Sequence, residues 1–362
     1  MKTEWEKVKL ERFFTVKKGQ AITKRESNPG PYPVILGGRE PAYYIDRYNH
    51  EGKAIVVSRS GASAGYVSYW NEPIFITDGF LIEPKDDVCY EFVYYFMKNN
   101  ETRFIGSQKG AAIPHVTPAL LYDVDAFLPP LEIQRKIAGI LSAYDDLIEN
   151  NRKQIKLLEE VAQKLYKEWF VKLNFPGHEN VRFVNGVPEG WKKEKVGDII
   201  KTLPKTKQVK TAEILSNGEI PVIDQSRDFI AGYTNDRETI IKSEIPVIVF
   251  GDHTRILKLI QFPFARGADG TQVFISSNYC IKEYQLYCAL VEIDLSNYSY
   301  TRHFKYLKEQ EILIPTKEVS EKFEIFAKSN YQMIQKLRDK IQLLQSARDK
   351  LLPKLMNGEL SL

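Results

Sequence analysis

Between Leu131 and Phe170 the sequence reads LEIQRKIAGI LSAYDDLIEN NRKQIKLLEE VAQKLYKEWF. Its apolar positions recur in alternating steps of four and three: Ile137, Leu141, Tyr144, Ile148, then Ile155, Leu158, Ala162, Leu165 and Trp169, with Asn151 keeping the beat between them. Such a repeat, held through successive heptads, is the pattern of a helix that buries one seam against another helix. A second segment repeats it with Phe323, Ala327, Asn330, Ile334, Leu337, Ile341, Leu344 and Leu351; Arg348 is off pattern, and neighbouring Ala347 takes its place. At ~1.5 Å per residue each helix spans ~60 Å. Packing the two on each other covers both stripes; packing each on its own domain is the alternative. Asn151 and Asn330 are expected to fix register at some cost in stability.

The ends of these helices are punctuated. Pro129-Pro130 and Pro315 mark their beginnings, since proline suits a first turn and disfavours helix before it. Phe175-Pro176-Gly177 is expected to close the first helix and Met356-Asn357-Gly358 the second, with Pro353 kinking or fraying the last turn.

Working outward, the chain repeats itself. Trp5 and Trp191 stand 186 positions apart, and the same offset joins Leu10 to Val196, Phe13 to Ile199, Pro129 to Pro315, Lys136 to Lys322, Ile148 to Ile334, Leu157 to Leu343 and Leu165 to Leu351. Tyr32-Pro33-Val34-Ile35 matches Ile220-Pro221-Val222-Ile223 at an offset of 188, so the ends are shared while the interiors have diverged. A long internal period decides architecture. The plan is residues 1–128, a globular lobe, then a helix over 129–175, a second lobe over 186–313, and a helix over 314–362.

The lobes lack long helical periodicity. Short β-branched and aromatic runs between turn residues read as strands: Tyr32–Leu36, Ala54–Val57, Gly65–Trp70, Pro73–Ile76, Pro221–Asp224, Pro246–Phe250 and Gln272–Ile275. Helices are expected at Tyr90–Asn99 and Asn278–Leu290. The fold class is α+β: two similar lobes with mainly antiparallel sheets, separated by two long coiled-coil helices, in a pseudo-twofold internal repeat.

Composition bounds the function. The 362 residues suit two or three domains, and 43% hydrophobic with 27% charged residues is a globular mixture. The longest apolar run, near Ile245–Phe250, is far short of the ~20 residues of a membrane helix. The charged start, Met1-Lys2-Thr3-Glu4-Trp5-Glu6-Lys7, offers no signal-peptide core. Three scattered cysteines, Cys89, Cys280 and Cys288, suit a reducing cytoplasm. A net charge of +4 permits a polyanion partner, provided that the positive charge is local.

Polar chemistry gathers in glycine-bearing loops. Glycine lets backbone approach phosphate, Arg and Lys can pair with guanine, Gln with adenine, and Ser donates to phosphate. The base-reading candidates are Arg39, Arg59, Gln108, Gln225, Arg227, His253 and Arg255. The phosphate-binding candidates are Lys17, Lys18, Lys109, Lys205, Lys207 and Lys210, and Ser60 is a further DNA-binding candidate.

Catalytic signatures are sparse. There is no G-x-x-x-x-G-K-[ST] phosphate loop, no strand-borne G-x-G-x-x-G, and no G-x-S-x-G elbow. Five histidines show no metal-ligand spacing. Glu51-Gly52-Lys53 and Glu83-Pro84-Lys85, the latter after Asp78, could serve a metal nuclease, but E-x-K triplets are common by chance. Three readings stand: a DNA-binding protein, a coiled-coil adaptor whose lobes bind protein, and a stand-alone metal-dependent nuclease.

The residues also carry a resemblance. Leu128-Pro129-Pro130-Leu131-Glu132-Ile133-Gln134-Arg135-Lys136-Ile137, Leu147-Ile148-Glu149-Asn150-Asn151, Leu165-Tyr166-Lys167-Glu168-Trp169-Phe170, Val187-Pro188-Glu189-Gly190-Trp191, Phe250-Gly251-Asp252-His253-Thr254-Arg255, Ala268-Asp269-Gly270 and Leu351-Leu352-Pro353-Lys354-Leu355-Met356-Asn357-Gly358-Glu359 resemble the specificity subunits of Type I restriction–modification enzymes. The second helix opening, Ile314-Pro315-Thr316-Lys317-Glu318-Val319, departs by lacking the second proline and the Gln. The resemblance implies two target recognition domains, each reading one half of a split site on double-stranded DNA, and an antiparallel helical pair acting as spacer and docking surface. It implies two modification subunits carrying the S-adenosylmethionine chemistry, restriction subunits carrying ATP- and Mg-dependent activities, and no cofactor, metal or catalysis in this chain. The differing loops of the two lobes predict an asymmetric target.

Overall fold

The computed structural model describes residues 5–106, 115–124, 126–244, 246–267, 270–298, 302–360 and 362. By its internal contacts the chain divides into two units, Met1–Asn150 with Ile341–Leu362, and Asn151–Lys340.

In the first unit the strands are β1 (Glu6–Val8), β2 (Phe14–Lys18), β3 (Tyr32–Ile35), β4 (Tyr44–Ile45), β5 (Lys53–Ser58), β6 (Val67–Asn71), β7 (Phe75–Ile76), β8 (Gly79–Pro84) and β9 (Ala126–Leu128). They form an antiparallel sheet of order β2-β8-β5-β6, a three-stranded sheet β4-β3-β7 and the pair β1-β9. Among the described strands of this unit, only β3 and β7 run parallel. Helices α1 (Tyr90–Asn99), α2 (Glu101–Gly106) and α3 (Pro118–Tyr122) follow, then the long α4 (Leu131–Tyr166).

The second unit holds the hairpin β10 (Phe183–Val184) and β11 (Val187–Pro188), then β12 (Lys192–Lys195), α5 (Val196–Ile199), β13 (Ile200–Thr202), β14 (Ile220–Ile223), β15 (Gly232–Thr234), β16 (Val247–Gly251), β17 (Leu257–Ile260), β18 (Ala265–Arg266) and β19 (Thr271–Ser276). After them come α6 (Glu283–Val291), α7 (His303–Glu309), β20 (Glu311–Ile314) and the long α8 (Lys317–Met356). The sheet orders are β13-β19-β16-β17, β15-β14-β18 and β12-β20, with β14 and β18 parallel. Apart from the β10-β11 hairpin, this is strand for strand the plan of the first unit. The repeat read from Trp5 and Trp191 is therefore a repeat of topology, and the fold class is the expected α+β one.

Both expected modes of helix packing occur. In the second unit Tyr166, Phe170 and Trp169 of the first helical segment meet Phe323 of α8 at ring-centroid distances of 5.8, 5.0 and 5.8 Å. Further along, Leu158 meets Asn330 and Glu159 meets Arg338. In the first unit Asp145 meets Arg348. As numbers fall along α4 they rise along α8, so the pairing is antiparallel. The same helices also cover their lobes. Ile137, Ala138 and Leu141 share a core with Phe92 and Phe96. Phe323, Ala327 and Ile334 share one with Tyr284 and Leu286. A fully buried side chain of this size contributes ~1.5–3 kcal/mol.

Three expectations are corrected. The first helix does not run to Phe175-Pro176-Gly177: a π-turn over Lys167–Val171 ends it, with Asn174 N–H donating to the Glu168 carbonyl and Leu173 at φ +64°. Pro353 does not break α8, because it sits within four residues of the end and its carbonyl still accepts from Asn357. Gly358 (φ +66°) and Glu359 then donate back to Leu355 and Lys354, a Schellman closure that needs the left-handed glycine. Finally, α6 begins at Glu283 rather than Asn278, whose side-chain oxygen accepts from Cys280 N–H at 2.8 Å in a turn that competes with helix.

Candidate nucleic-acid interface

Register decides which loops meet. In the first unit the parallel pair Ile35↔Ile76 sends two chains out at the same end of the lobe. The antiparallel pair Ser58↔Gly79 brings the end of β5 and the start of β8 to that end as well, and Lys18↔Phe80 adds the end of β2. Gly37, Arg39, Arg59, Ser60 and Asp78 therefore converge. Arg59 Nε lies 2.9 Å from Asp78 Oδ1, and the Ser60 hydroxyl donates to the other carboxylate oxygen. Arg39 lies over the Tyr66 ring at 5.5 Å, a ring that Lys98 Nζ also approaches at 4.6 Å. Lys18 ends β2, exposed; Lys17 is paired with Glu83 at 2.7 Å. Gln108 and Lys109 lie outside the described residues.

The second unit builds the same junction with other chemistry. Ile223↔Arg266 and Gly251↔Thr271 bring together the loops after β14, β16 and β18. Gln225 is the organiser: its side-chain oxygen accepts from His253 N–H at 3.1 Å and its carbonyl from the Thr254 hydroxyl at 2.7 Å. A Cβ at Gly270 (φ +90°) would stand 2.8 Å from the His253 ring and 2.9 Å from Gln225 Nε2, so glycine is required for that approach. The His253 side chain and Arg227 are exposed. Arg255, exposed and at φ +63°, donates from Nη1 to the Leu295 carbonyl at 3.0 Å, spending part of its fork on the protein. Lys205 and Lys210 are exposed, while Lys207 pairs with Asp236 at 2.7 Å.

Sequence reasoning missed two residues that shape these loops. Asp78 was visible only as part of a possible metal triad, yet it holds Arg59. Lys258 reads as an ordinary strand cation, yet its residue is 4% exposed and its ammonium donates to the Asp224 and Asp228 carbonyls at 2.9 and 2.5 Å, bracketing Gln225 and Arg227. Burial pushes this ammonium down to about 8, against the pull of Asp224 and Asp228. Backbone partners leave no mark in sequence, so no signal pointed to it.

Charged residues singled out around the two E-x-K triplets have other partners: Glu83 pairs with Lys17, Lys53 with Glu91 and Asp78 with Arg59, while Glu51 accepts from the Tyr48 hydroxyl. Among the described residues no three His, Cys, Asp or Glu side chains gather to hold a metal ion, and no helix is long and apolar enough to cross a membrane.

Comparison with known proteins shows the family. Residues 2–160 match the family model described as Type I restriction modification DNA specificity domain. The MjaIX specificity subunit of Methanocaldococcus jannaschii, a Type I restriction enzyme component, is 30% identical over 338 residues, 85% of this chain and 78% of that protein. The HindI specificity subunit of Haemophilus influenzae is 32% identical over 96 residues, 25% of this chain and 21% of that one. A crystal structure of a Type I restriction–modification S subunit from M. genitalium superposes with a TM-score of 0.60, covering 97% of this chain and 96% of that one at 21% identity. This chain belongs to the family of Type I restriction–modification specificity subunits.

Proposed function

We propose that this chain reads an asymmetric, two-part site on double-stranded DNA, one half with each lobe, and that it delivers that choice to modification and restriction subunits while carrying no catalytic group itself. The observation that carries the reading is the duplication: two lobes of identical strand order present different side chains at the same junction, Arg59 and Asp78 in one, Gln225 and His253 in the other. A doubled reader suits two half-sites, and unlike loops suit unlike halves. Arg39, Arg59, Gln225, Arg227 and His253 face base edges in this reading, with Gln108 assigned the same task from sequence. Lys17, Lys18, Lys109, Lys205, Lys207 and Lys210 meet phosphates, while Ser60, whose hydroxyl donates to Asp78, belongs to the first lobe's reading loop. Arg255 supports the second loop.

Docking of two like modification subunits is supported by exposed apolar residues at repeat-related positions. In the first unit these are Leu147 (44% exposed) and Leu343 (72%); in the second, Leu157 (59%) and Met333 (48%). Leu147 and Met333 share the 186-residue offset, as do Leu157 and Leu343, so each unit offers one of each. S-adenosylmethionine, ATP and Mg then belong to the partners. Three free cysteines fit a reducing cytoplasm.

The test is to map modified bases genome-wide in cells with and without this gene. A two-part motif that vanishes with the gene is expected; an unchanged map contradicts the reading. DNA cleavage by the purified chain alone would overturn the non-catalytic part.

A further inference from the structure

Within the first lobe the backbone of Arg59 is held on both sides. Its N–H donates to the Asp78 carbonyl at 3.1 Å, and its carbonyl accepts from Val116 N–H at 2.8 Å. The side chain is held by charge: one Asp78 carboxylate oxygen stands 2.9 Å from Nε, an ion pair without the alignment of a hydrogen bond, and the other accepts from the Ser60 hydroxyl. Gly37 closes the back of this arrangement, because a Cβ there would come within 2.9 Å of the Ser60 carbonyl. Anchoring through Nε leaves the two-pronged end of the guanidinium, Nη1 and Nη2, without a hydrogen-bond partner among the described residues. The Arg59 side chain is 27% exposed.

Such a fork is pre-set for two acceptors in one plane. Guanine O6 and N7 offer that pair in the major groove. A phosphate also offers two oxygens, but the Asp78 carboxylate beside the guanidinium repels an anion and tolerates a neutral base edge.

The second lobe keeps the backbone and changes the chemistry. Because Ser58↔Gly79 corresponds to Gly251↔Thr271, Arg59 and Asp78 correspond to Asp252 and Gly270. The same hydrogen bond is present, Asp252 N–H to the Gly270 carbonyl at 2.7 Å. Yet Asp252 is buried, its carboxylate accepting from Phe304 N–H at 2.8 Å at the start of α7. The residue at the position of Arg59 is thus an acid and not a cation.

We propose that Arg59 is the guanine-reading residue of the first lobe, that Asp78 is its positioning residue, and that the second lobe has no counterpart. The proposal rests on the reading of the lobes as DNA readers and deepens it.

The experiment uses the chain assembled with its modification subunits and a duplex carrying the mapped site, with each guanine replaced in turn by 7-deazaguanine, which lacks N7. In the wild-type complex, one guanine of one half-site should show a loss of roughly 5- to 150-fold in affinity on this replacement. Arg59→Ala should bind the two duplexes alike, and Asp78→Asn should shrink the ratio at the same guanine. Arg59→Lys keeps the charge facing Asp78 and guards against misfolding; it too should lose the distinction, having no fork. Effects of N7 removal that are equal in the wild type and both Arg59 variants at every guanine overturn the proposal. The underlying reading fails differently: the wild-type complex would bind the mapped duplex no better than a shuffled one.

Discussion

Asn330 of α8 donates its side-chain amide to the Leu158 carbonyl of α4 at 2.8 Å, inside the second unit. A polar bond within an apolar seam can form in one axial register only, so it penalises every slip of one helix along the other. Asn330 is 8% exposed. Asn330→Ala removes the bond and leaves a small void. Urea unfolding of the chain should show a loss of ~1–2 kcal/mol; an unshifted midpoint would mean that the bond does not hold the register.

Arg338 joins three pieces of the second unit. It reaches Glu159 at 2.9 Å and lies 3.9 Å over the Phe229 ring, in the loop that follows Arg227. Burial lowers the affinity of Arg338 for its proton and raises that of Glu159, and each charge opposes the shift of the other. Losing one partner of a fully buried pair costs ~3–5 kcal/mol. The Glu159 side chain is 44% exposed, so Arg338→Ala should cost about 2–3 kcal/mol by the same measurement. Arg338→Lys should recover less than half of it, since an ammonium neither stacks flat on Phe229 nor donates in a fork. Full recovery would show that charge alone matters.

Glu324 gives the fold a pH dependence. Burial pushes its carboxyl up to about 7, although the N–H groups of Gln285 and Tyr284 hold its anion. The folded value lies above the ordinary 4.5, so the folded protein holds this proton more tightly. The stability it contributes is complete below about 4.5 and is lost as the pH rises through about 7. Glu324→Gln, which stays neutral, should flatten that part of the stability–pH curve. A slope between pH 5 and 7 that is unchanged in Glu324→Gln would place the titrating group elsewhere.

The spacer role of the helices is tested by length. One heptad inserted into α4 together with one in α8, at antiparallel-matched positions, keeps the seam in phase. The mapped two-part motif should then carry a longer gap between unchanged halves. An unaltered gap would separate the helices from the setting of half-site distance.

The seam was legible because its four-and-three spacing is a local property of one strand of sequence, and the repeat was legible where Trp5/Trp191 and Pro129/Pro315 anchor it. The rest required backbone pairing. From the Trp pair to Ser58/Gly251 the offset drifts from 186 to 193, so the correspondence of Arg59 with Asp252 is hidden by insertions. The Arg59–Asp78 contact joins positions that only strand register brings together. Candidate loops could be chosen by composition, but composition does not tell Arg59, whose Nη1 and Nη2 have no partner among the described residues, from Arg255, which spends Nη1 on the Leu295 carbonyl. The same limit applies to Leu157 and Leu343, which sit beside the seam in sequence and point away from it in the fold.

The central claim is that the two lobes read independently. Exchange residues 186–313 for the matching segment of another specificity subunit of known motif, express the hybrid with the same modification subunits, and map modified bases. One half of the motif should change to that of the donor while the other half and the gap persist. A hybrid that folds and assembles but alters both halves, or leaves the motif as it was, would contradict the account.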